Sequence, residues 1–156
     1  MMGSGKSSIG LLVAKKLKLE FVDIDKEIEN EIGLSISKIF ELKGENYFRK
    51  FEEKITLKKL KLKSKVISLG GGAFINNIIR KEILKNHISF WLNLDDKILI
   101  KRIKNSKKRP IAFNASDNEL IELIKKRSNI YSKALYEIKC DNLSKNAIVK
   151  RILEIL

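Results

Sequence analysis

The chain has 156 residues, of which 44% are hydrophobic and 33% are charged, a composition typical of one globular domain with its own core. It contains no apolar run near the roughly 20 residues that cross a bilayer. It also opens without a signal-like segment, so we expect a cytoplasmic protein with no membrane partner. The single cysteine, Cys140, excludes an internal disulfide, and we expect it and the lone His87 to be structural.

The net charge of +14 suits either a nucleic-acid partner or small anionic substrates. The lysines are spread along the whole chain, and few aromatic residues lie among them. Proteins that bind single-stranded nucleic acid combine basic grooves with stacking aromatic side chains. We therefore expect the lysines to decorate solvated helix faces, without a nucleic-acid partner.

The first predicted element is a glycine loop that leads into a helix. Residues 3–7 read GSGKS, the second half of the phosphate-binding pattern G-x-x-x-x-G-K-[ST], and the next residues have helical apolar spacing. Loop N–H groups and a helix N-terminus bind phosphate oxygens. The pattern predicts Lys6 on the β- and γ-phosphates and Ser7 on Mg²⁺; the alternative is a helix cap with incidental glycines.

FVDID follows as a short strand that ends in Asp23 and Asp25. Side chains two apart on a strand point to the same side, so this pair predicts a shared polar site for Mg²⁺ and for proton transfer. The alternative is capping of the next helix. Residues 25–62 are predicted to be mostly helical, with breaks near Gly33 and Gly44.

GENYFRKFEE places Arg49 and Glu52 three apart on one helix face. An arginine binds a ligand carboxylate through two donors, and a nearby acid can orient it; the alternative is a surface ion pair of little energetic value. KVISLGGG is a predicted buried strand that runs into three glycines, Gly70, Gly71 and Gly72. The triplet indicates close approach of a ligand to the backbone, and the alternative is a flexible turn.

The rest of the chain alternates helices with strands. We predict helices over 76–86, 95–105, 119–134 and 145–156, and strands over 87–94 and 135–140. A polar loop at about 106–118 is the predicted lid, where Arg109 would close over the transferring phosphoryl group unless it is one more surface cation. The alternation predicts a parallel sheet covered on both faces, with ligands at the carboxyl ends of its strands.

In chain order, the stretches GSGKS, DID, GENYFR..E, GGG, RP and R...Y resemble the shikimate kinase family, over essentially the whole chain. The resemblance implies one domain, residues 1–156, with a three-layer α/β/α P-loop kinase fold and a parallel sheet that normally has five strands. It also implies that the helical segment at about 25–62 binds the substrate. It implies transfer of the γ-phosphate of ATP to the 3-hydroxyl of shikimate, in the route to chorismate and the aromatic amino acids. We also expect a monomer.

The resemblance also implies roles for individual residues. ATP would be bound by Gly3, Ser4, Gly5, Lys6, Ser7, Ser8, Arg102 and Arg109. Ser7 would bind Mg²⁺ directly, and Asp23 would bind it through water. Asp25 would hold the shikimate hydroxyls and accept a proton, Arg49 and Arg127 would bind the carboxylate, and Gly70, Gly71 and Gly72 would line the ring. Lys6, Asp25 and Arg109 are the expected catalytic residues.

The first loop glycine and the strand before it are missing from this sequence. In this fold that strand lies in the middle of the sheet, and unpaired buried backbone groups cost about 1–3 kcal/mol each. We therefore expect the natural chain to start upstream. The lid also looks slightly short.

Three alternative functions stay open at this point. Another small P-loop kinase, similar to gluconate kinase, would lack the arginine and glycine pocket. A basic nucleic-acid-binding P-loop protein would show steep salt dependence. A truncated, inactive remnant would keep the pocket residues without turnover.

Overall fold

The computed structural model describes residues 1–104 and 115–156. The elements in chain order are α1 (Lys6–Leu17), β1 (Glu20–Asp23), α2 (Ile24–Ile32), α3 (Ile36–Leu60), β2 (Lys65–Ser68), a 3₁₀ turn (Ala73–Ile75), α4 (Asn77–Asn86), β3 (Phe90–Asn93), α5 (Asp96–Lys104), α6 (Asp117–Tyr131), β4 (Tyr136–Lys139) and α7 (Lys145–Leu153). The predicted Arg109 and most of the predicted lid lie outside the described residues. The last lid residues, 117–118, instead begin α6, where Ser116 and Glu119 form a capping box.

The strands form two parallel pairs. β1 pairs with β2, with Val22 opposite Ile67, and β3 pairs with β4, with Leu92 opposite Ile138. Within the described residues, 1–104 and 115–156, no further strand pairing is present. β2 and β3 line a common cavity of about 440 Å³. The predicted parallel arrangement of strands is therefore confirmed.

Most of the core lies between these strands and the helices that follow them. One cluster joins α1, α4, α6 and α7 to β3 and β4, and it includes the fully buried Leu120 and the nearly fully buried Ile79 and Ile124. A second cluster packs β1 against α2 and α3 through Ile24, Ile28, Ile39 and Ile55. None of the described helices is long and apolar enough to cross a membrane.

α6 and α7 end at Tyr131 and Leu153, each before its predicted end, and one strand starts well after its predicted first residue. The predicted strand over 87–94 begins only at Phe90, because the His87 N–H closes α4 by donating to Ile83 O. His87 is half-buried beside Glu82 and Ile88 is 59% exposed, so residues 87–89 are a link rather than a buried strand. The predicted breaks at Gly33 and Gly44 are confirmed: Gly33 ends α2 with a φ of 75°, and Gly44 kinks α3 with a φ of 78°.

Candidate active site

The glycine loop forms the entrance to α1. Gly3 and Gly5 have φ angles of 80° and 84°, a left-handed conformation that glycine adopts without strain. Gly5 is the N-cap of α1 and contributes no side chain, so the N–H groups of the first turn face the space in front of the helix. Such a loop, with the positive end of a helix behind it, has the geometry of an anion-binding site.

Polar side chains gather around this loop. Lys6 Nζ and Ser4 Oγ both donate to Met1 O, at 2.7 and 2.9 Å. Ser7 Oγ lies 3.5 Å from Ser68 Oγ at the end of β2, and Arg102 Nη1 donates to Gly3 O at 3.3 Å. The structure thus brings the predicted ATP residues of α1 and α5 together, and Ser8 lies exposed in the first turn of α1.

The two aspartates lie at the carboxyl end of β1, but not as two residues of one strand. Asp23 is the last residue of β1 and the N-cap of α2, and its carboxylate accepts from the N–H groups of Asp25 and Lys26. Asp25 therefore lies in the first turn of α2, and the prediction that both project from the strand is wrong. The capping alternative holds for Asp23, and a capping carboxylate retains lone pairs for a further ligand.

The pKa of the Asp25 carboxyl is raised by burial first and by the nearby Asp23 charge second. Both effects disfavour the ionised form. Lys6 and Arg49 act in the opposite direction. Asp25 thus has a higher proton affinity than an ordinary aspartate, which suits a group that accepts a proton from a substrate hydroxyl.

Arg49 and Glu52 are joined by a hydrogen bond of 2.6 Å between Nη1 and Oε2. Glu52 is only 2% exposed, so the alternative of a surface ion pair is wrong. Burial raises the pKa of Glu52 despite the neighbouring guanidinium. Burial opposes the Arg49 charge, but Glu52 and Glu45 outweigh it and raise the Arg49 pKa. The acid fixes the arginine in place, as the sequence spacing predicted.

The glycine triplet fits closely against these charged groups. A Cβ on Gly70 would lie 2.5 Å from both Asp25 Oδ1 and Glu52 Oε1, and a Cβ on Gly72 would collide with the Arg49 guanidinium. In the described part of the chain, Glu52 Oε1 has no hydrogen-bond partner. The glycines therefore let the backbone approach these charged groups closely, which the flexible-turn alternative does not explain for Gly70 and Gly72.

Arg127 and Tyr131 hold the same turn from α6. Arg127 is 7% exposed, and its Nη1 donates to Gly71 O at 3.4 Å; the Tyr131 hydroxyl donates to the same oxygen at 2.6 Å. Burial lowers the Arg127 pKa and raises the Tyr131 pKa. Two guanidinium groups, from α3 and α6, thus converge on the glycine turn beside Asp25.

Tyr131 was not among the predicted site residues. The sequence carries an indication of it, because Tyr131 lies four residues after Arg127 and so shares its face of α6. Only the fold shows that this face meets Gly71, which is 60 residues away in the chain.

Comparison with known proteins supports one family. The family profile described as Shikimate kinase matches residues 2–156. The chain belongs to the shikimate kinase family. The shikimate kinase of Bacillus subtilis is 40% identical, over 99% of this chain and 84% of its own length. That of Bartonella quintana is 38% identical, over 98% of this chain and 73% of its own length.

Solved structures of the family have the same fold. A shikimate kinase from Acinetobacter baumannii, in complex with shikimate, superposes with a TM-score of 0.93 at 30% identity, over 99% of this chain and 87% of that one. The enzyme from Aquifex aeolicus superposes with a TM-score of 0.88 at 34% identity, over 99% of this chain and 90% of that one. The expected three-layer P-loop kinase fold and the expected activity, an ATP-dependent shikimate kinase, are confirmed at the level of the family.

Proposed function

We propose that the residues around the glycine turn bind shikimate and those around the glycine loop bind ATP, so that the γ-phosphate passes to the 3-hydroxyl. The observation that carries this assignment is the convergence of Arg49 and Arg127 on Gly70–Gly72 beside Asp25. The carboxylate of a small ring compound can accept hydrogen bonds from both guanidinium groups, and the hydroxyls of the ring can donate to the Asp25 carboxylate on its opposite side. The glycines leave room for the ring to lie against the backbone.

The reaction is an in-line displacement at the γ-phosphorus. The substrate hydroxyl oxygen forms the new P–O bond, its proton passes to Asp25, and the bond to the β-phosphate oxygen breaks to leave ADP. Lys6 and the N–H groups at the start of α1 hold the phosphates, with Ser4, Ser7 and Ser8 around them. Arg102 binds the nucleotide, and Arg109, carried over from the family resemblance, binds the transferring group.

Mg²⁺ fits the donors at the loop. A hydroxyl from Ser7 and a carboxylate from Asp23 are hard oxygen ligands, and Mg²⁺ in kinases uses one or two such groups together with the phosphates. When bound, the ion would neutralise charge on the phosphate oxygens. We further propose that the protein acts as a cytoplasmic monomer.

The substrate assignment is tested by coupling ADP release to a spectrophotometric readout, with shikimate, gluconate and nucleoside monophosphates compared at equal concentrations. We expect turnover with shikimate to exceed the others by at least about 10³-fold, since a site built to bind polar groups strongly rejects ligands that lack them. Comparable turnover with gluconate would reject the assignment.

Arg49→Ala tests the carboxylate contact. Losing a charge-assisted hydrogen bond costs about 1.5–3 kcal/mol, so the KM for shikimate should rise about tenfold to a hundredfold while that for ATP changes little. Lys50→Ala is the matched control, because Lys50 is the exposed next residue of α3. An equal rise in both KM values would place Arg49 outside the shikimate site.

A further inference from the structure

Two carboxylates bind Arg49, but they differ in how firmly the fold holds them. Glu52 is 2% exposed and lies inside the fold, whereas the Glu45 side chain is 54% exposed. Glu45 directly follows Gly44, where α3 kinks, and a Cβ on Gly44 would meet nothing within 4 Å. Glu45 therefore has solvent around it and can leave Arg49 without opening the core, which Glu52 cannot do.

Glu45 occupies the edge of Arg49 that best suits a ligand carboxylate. A guanidinium group binds a carboxylate most specifically through two neighbouring N–H donors. Nε and Nη2 form such a pair, and Glu45 Oε1 lies 3.1 Å from each of them. Glu52 Oε2 contacts the third nitrogen, Nη1, at 2.6 Å. All three nitrogen atoms of the guanidinium group thus already have a carboxylate partner within the chain.

The charge of Glu45 also reaches the second guanidinium group of the site. Burial lowers the pKa of Arg127, and the Arg49 charge lowers it further. Tyr131, Glu45 and Glu52 act in the opposite direction. Glu45 thus lies where one carboxylate offsets the repulsion between two guanidinium groups, which is the effect that a ligand carboxylate would have.

We propose that Glu45 competes with the substrate carboxylate for Arg49 and is thereby a specificity-determining residue of the site. This role rests on the proposed function, in which Arg49 and Arg127 bind the shikimate carboxylate. Before a ligand binds, Glu45 covers the Nε–Nη2 edge of Arg49. A ligand carboxylate displaces Glu45 into solvent, because two like charges repel each other at one edge. A simple anion without ring and hydroxyl contacts gains too little from the site to offset this displacement.

A positioning role for Glu45 would have different consequences. An acid in the first turn of a helix stabilises that helix, and an exposed pair four residues apart contributes little more. The place of Arg49 does not depend on Glu45, because Glu52 holds Nη1 and the buried Phe48 ring has its centroid 5.0 Å from Cζ. Removal of the Glu45 charge should therefore free the Nε–Nη2 edge and leave the guanidinium group in place.

Glu45→Gln tests this role, because it removes the charge and keeps the length of the side chain. Glu41→Gln is the matched control, since Glu41 is an exposed acid of α3 that pairs with Lys38 instead of Arg49. Both substitutions change the net charge by the same amount. Three ligands are compared: shikimate, its methyl ester, which keeps the ring and hydroxyls without the charge, and cyclohexene-1-carboxylate, which keeps the ring and the charge without the hydroxyls.

We expect the KM for shikimate to fall about threefold to tenfold in Glu45→Gln, because the variant lacks both the competing contact and a like charge beside the ligand. The kcat and the KM for ATP should stay nearly unchanged. The Kd of the methyl ester, measured by ligand-observed NMR, should not change, because a neutral ester does not displace Glu45. Glu41→Gln should behave like the unsubstituted protein with every ligand.

An unchanged or higher KM for shikimate in Glu45→Gln would overturn the proposal, and a lower Tm beside it would identify a helix-stabilising residue. Equal tightening of shikimate and its methyl ester would also overturn it. Cyclohexene-1-carboxylate tests Glu45 without turnover: its Kd should fall by a similar factor in Glu45→Gln, and equal binding to both chains would contradict the competition. If that Kd falls but the unsubstituted protein does not turn over shikimate, the proposed function fails and the competition for a carboxylate stands.

Discussion

At the scale of single residues, Gly72 controls the position of Arg49. Neither Gly71 nor Gly72 has a positive φ, so alanine is conformationally acceptable at Gly72, but its Cβ would collide with the Arg49 guanidinium. We expect Gly72→Ala to raise the KM for shikimate about tenfold or more, with little change for ATP, because it displaces one charge-assisted contact. The double variant with Arg49→Ala should be no worse than Arg49→Ala alone. Additive losses would show that Gly72 acts by another route.

The raised pKa of Asp25 predicts the acid side of the pH profile. A base must be ionised, so kcat/KM for shikimate should fall as the pH drops through the Asp25 pKa, which lies above the ordinary 3.8. Asp23 raises this pKa and Arg49 lowers it. Asp23→Asn should therefore move the acid limb to lower pH and Arg49→Ala should move it to higher pH. If both variants leave the limb in place, Asp25 is not the group that titrates.

At the scale of elements, Tyr131 ties α6 to the glycine turn through its bond to Gly71 O. In Tyr131→Phe that carbonyl loses this bond and keeps the longer contact from Arg127. One lost neutral hydrogen bond costs about 0.5–1.5 kcal/mol, so the KM for shikimate should rise about twofold to tenfold with kcat nearly unchanged. Tyr136→Phe on β4 is the control, because that ring is 37% exposed and stacks on Phe90 instead of contacting the glycine turn. A lower Tm with an unchanged KM would indicate a purely structural role.

Apolar periodicity predicted the type of the described α-helices and strands but neither the 3₁₀ turn at Ala73–Ile75 nor every boundary. Residues 87–89 open the run HISFWLNL, which the sequence predicts to be a buried strand, yet the His87 N–H completes α4 and only Phe90 begins the ladder. Asp25 was predicted on the strand, but the Asp23 carboxylate accepts hydrogen bonds from the Asp25 and Lys26 N–H groups. This cap starts α2 at Ile24, one residue before the predicted helical segment. Local hydrogen bonds of this kind compete with strand continuation, and an apolar pattern does not report them.

At the scale of the whole molecule, the order of GSGKS, DID, GGG and the arginines predicted a set of site residues, and the fold brings those of them that are described close to the glycine loop or the glycine turn. The sequence could not show how they share it. Gly72 lies against Arg49, and Tyr131 bonds to Gly71, although the residues of each pair are tens of positions apart in the chain. These contacts, and the burial of Glu52, depend on how α3 and α6 pack around the turn. Chain order supplies the members of a site, whereas three-dimensional packing supplies its distances.

The net charge of +14 means that the surface could attract a polyanion such as nucleic acid. Specific nucleic-acid binding needs cations concentrated on one groove or helix, but the lysines here are spread over the chain. We therefore expect an oligonucleotide to bind no tighter than about 1 μM at about 150 mM salt, with no sequence preference and a steep loss as salt rises. Fluorescence anisotropy with single- and double-stranded probes measures this, with shikimate turnover followed in the same buffer. Submicromolar binding together with no turnover would instead favour a nucleic-acid-binding protein built on a kinase fold.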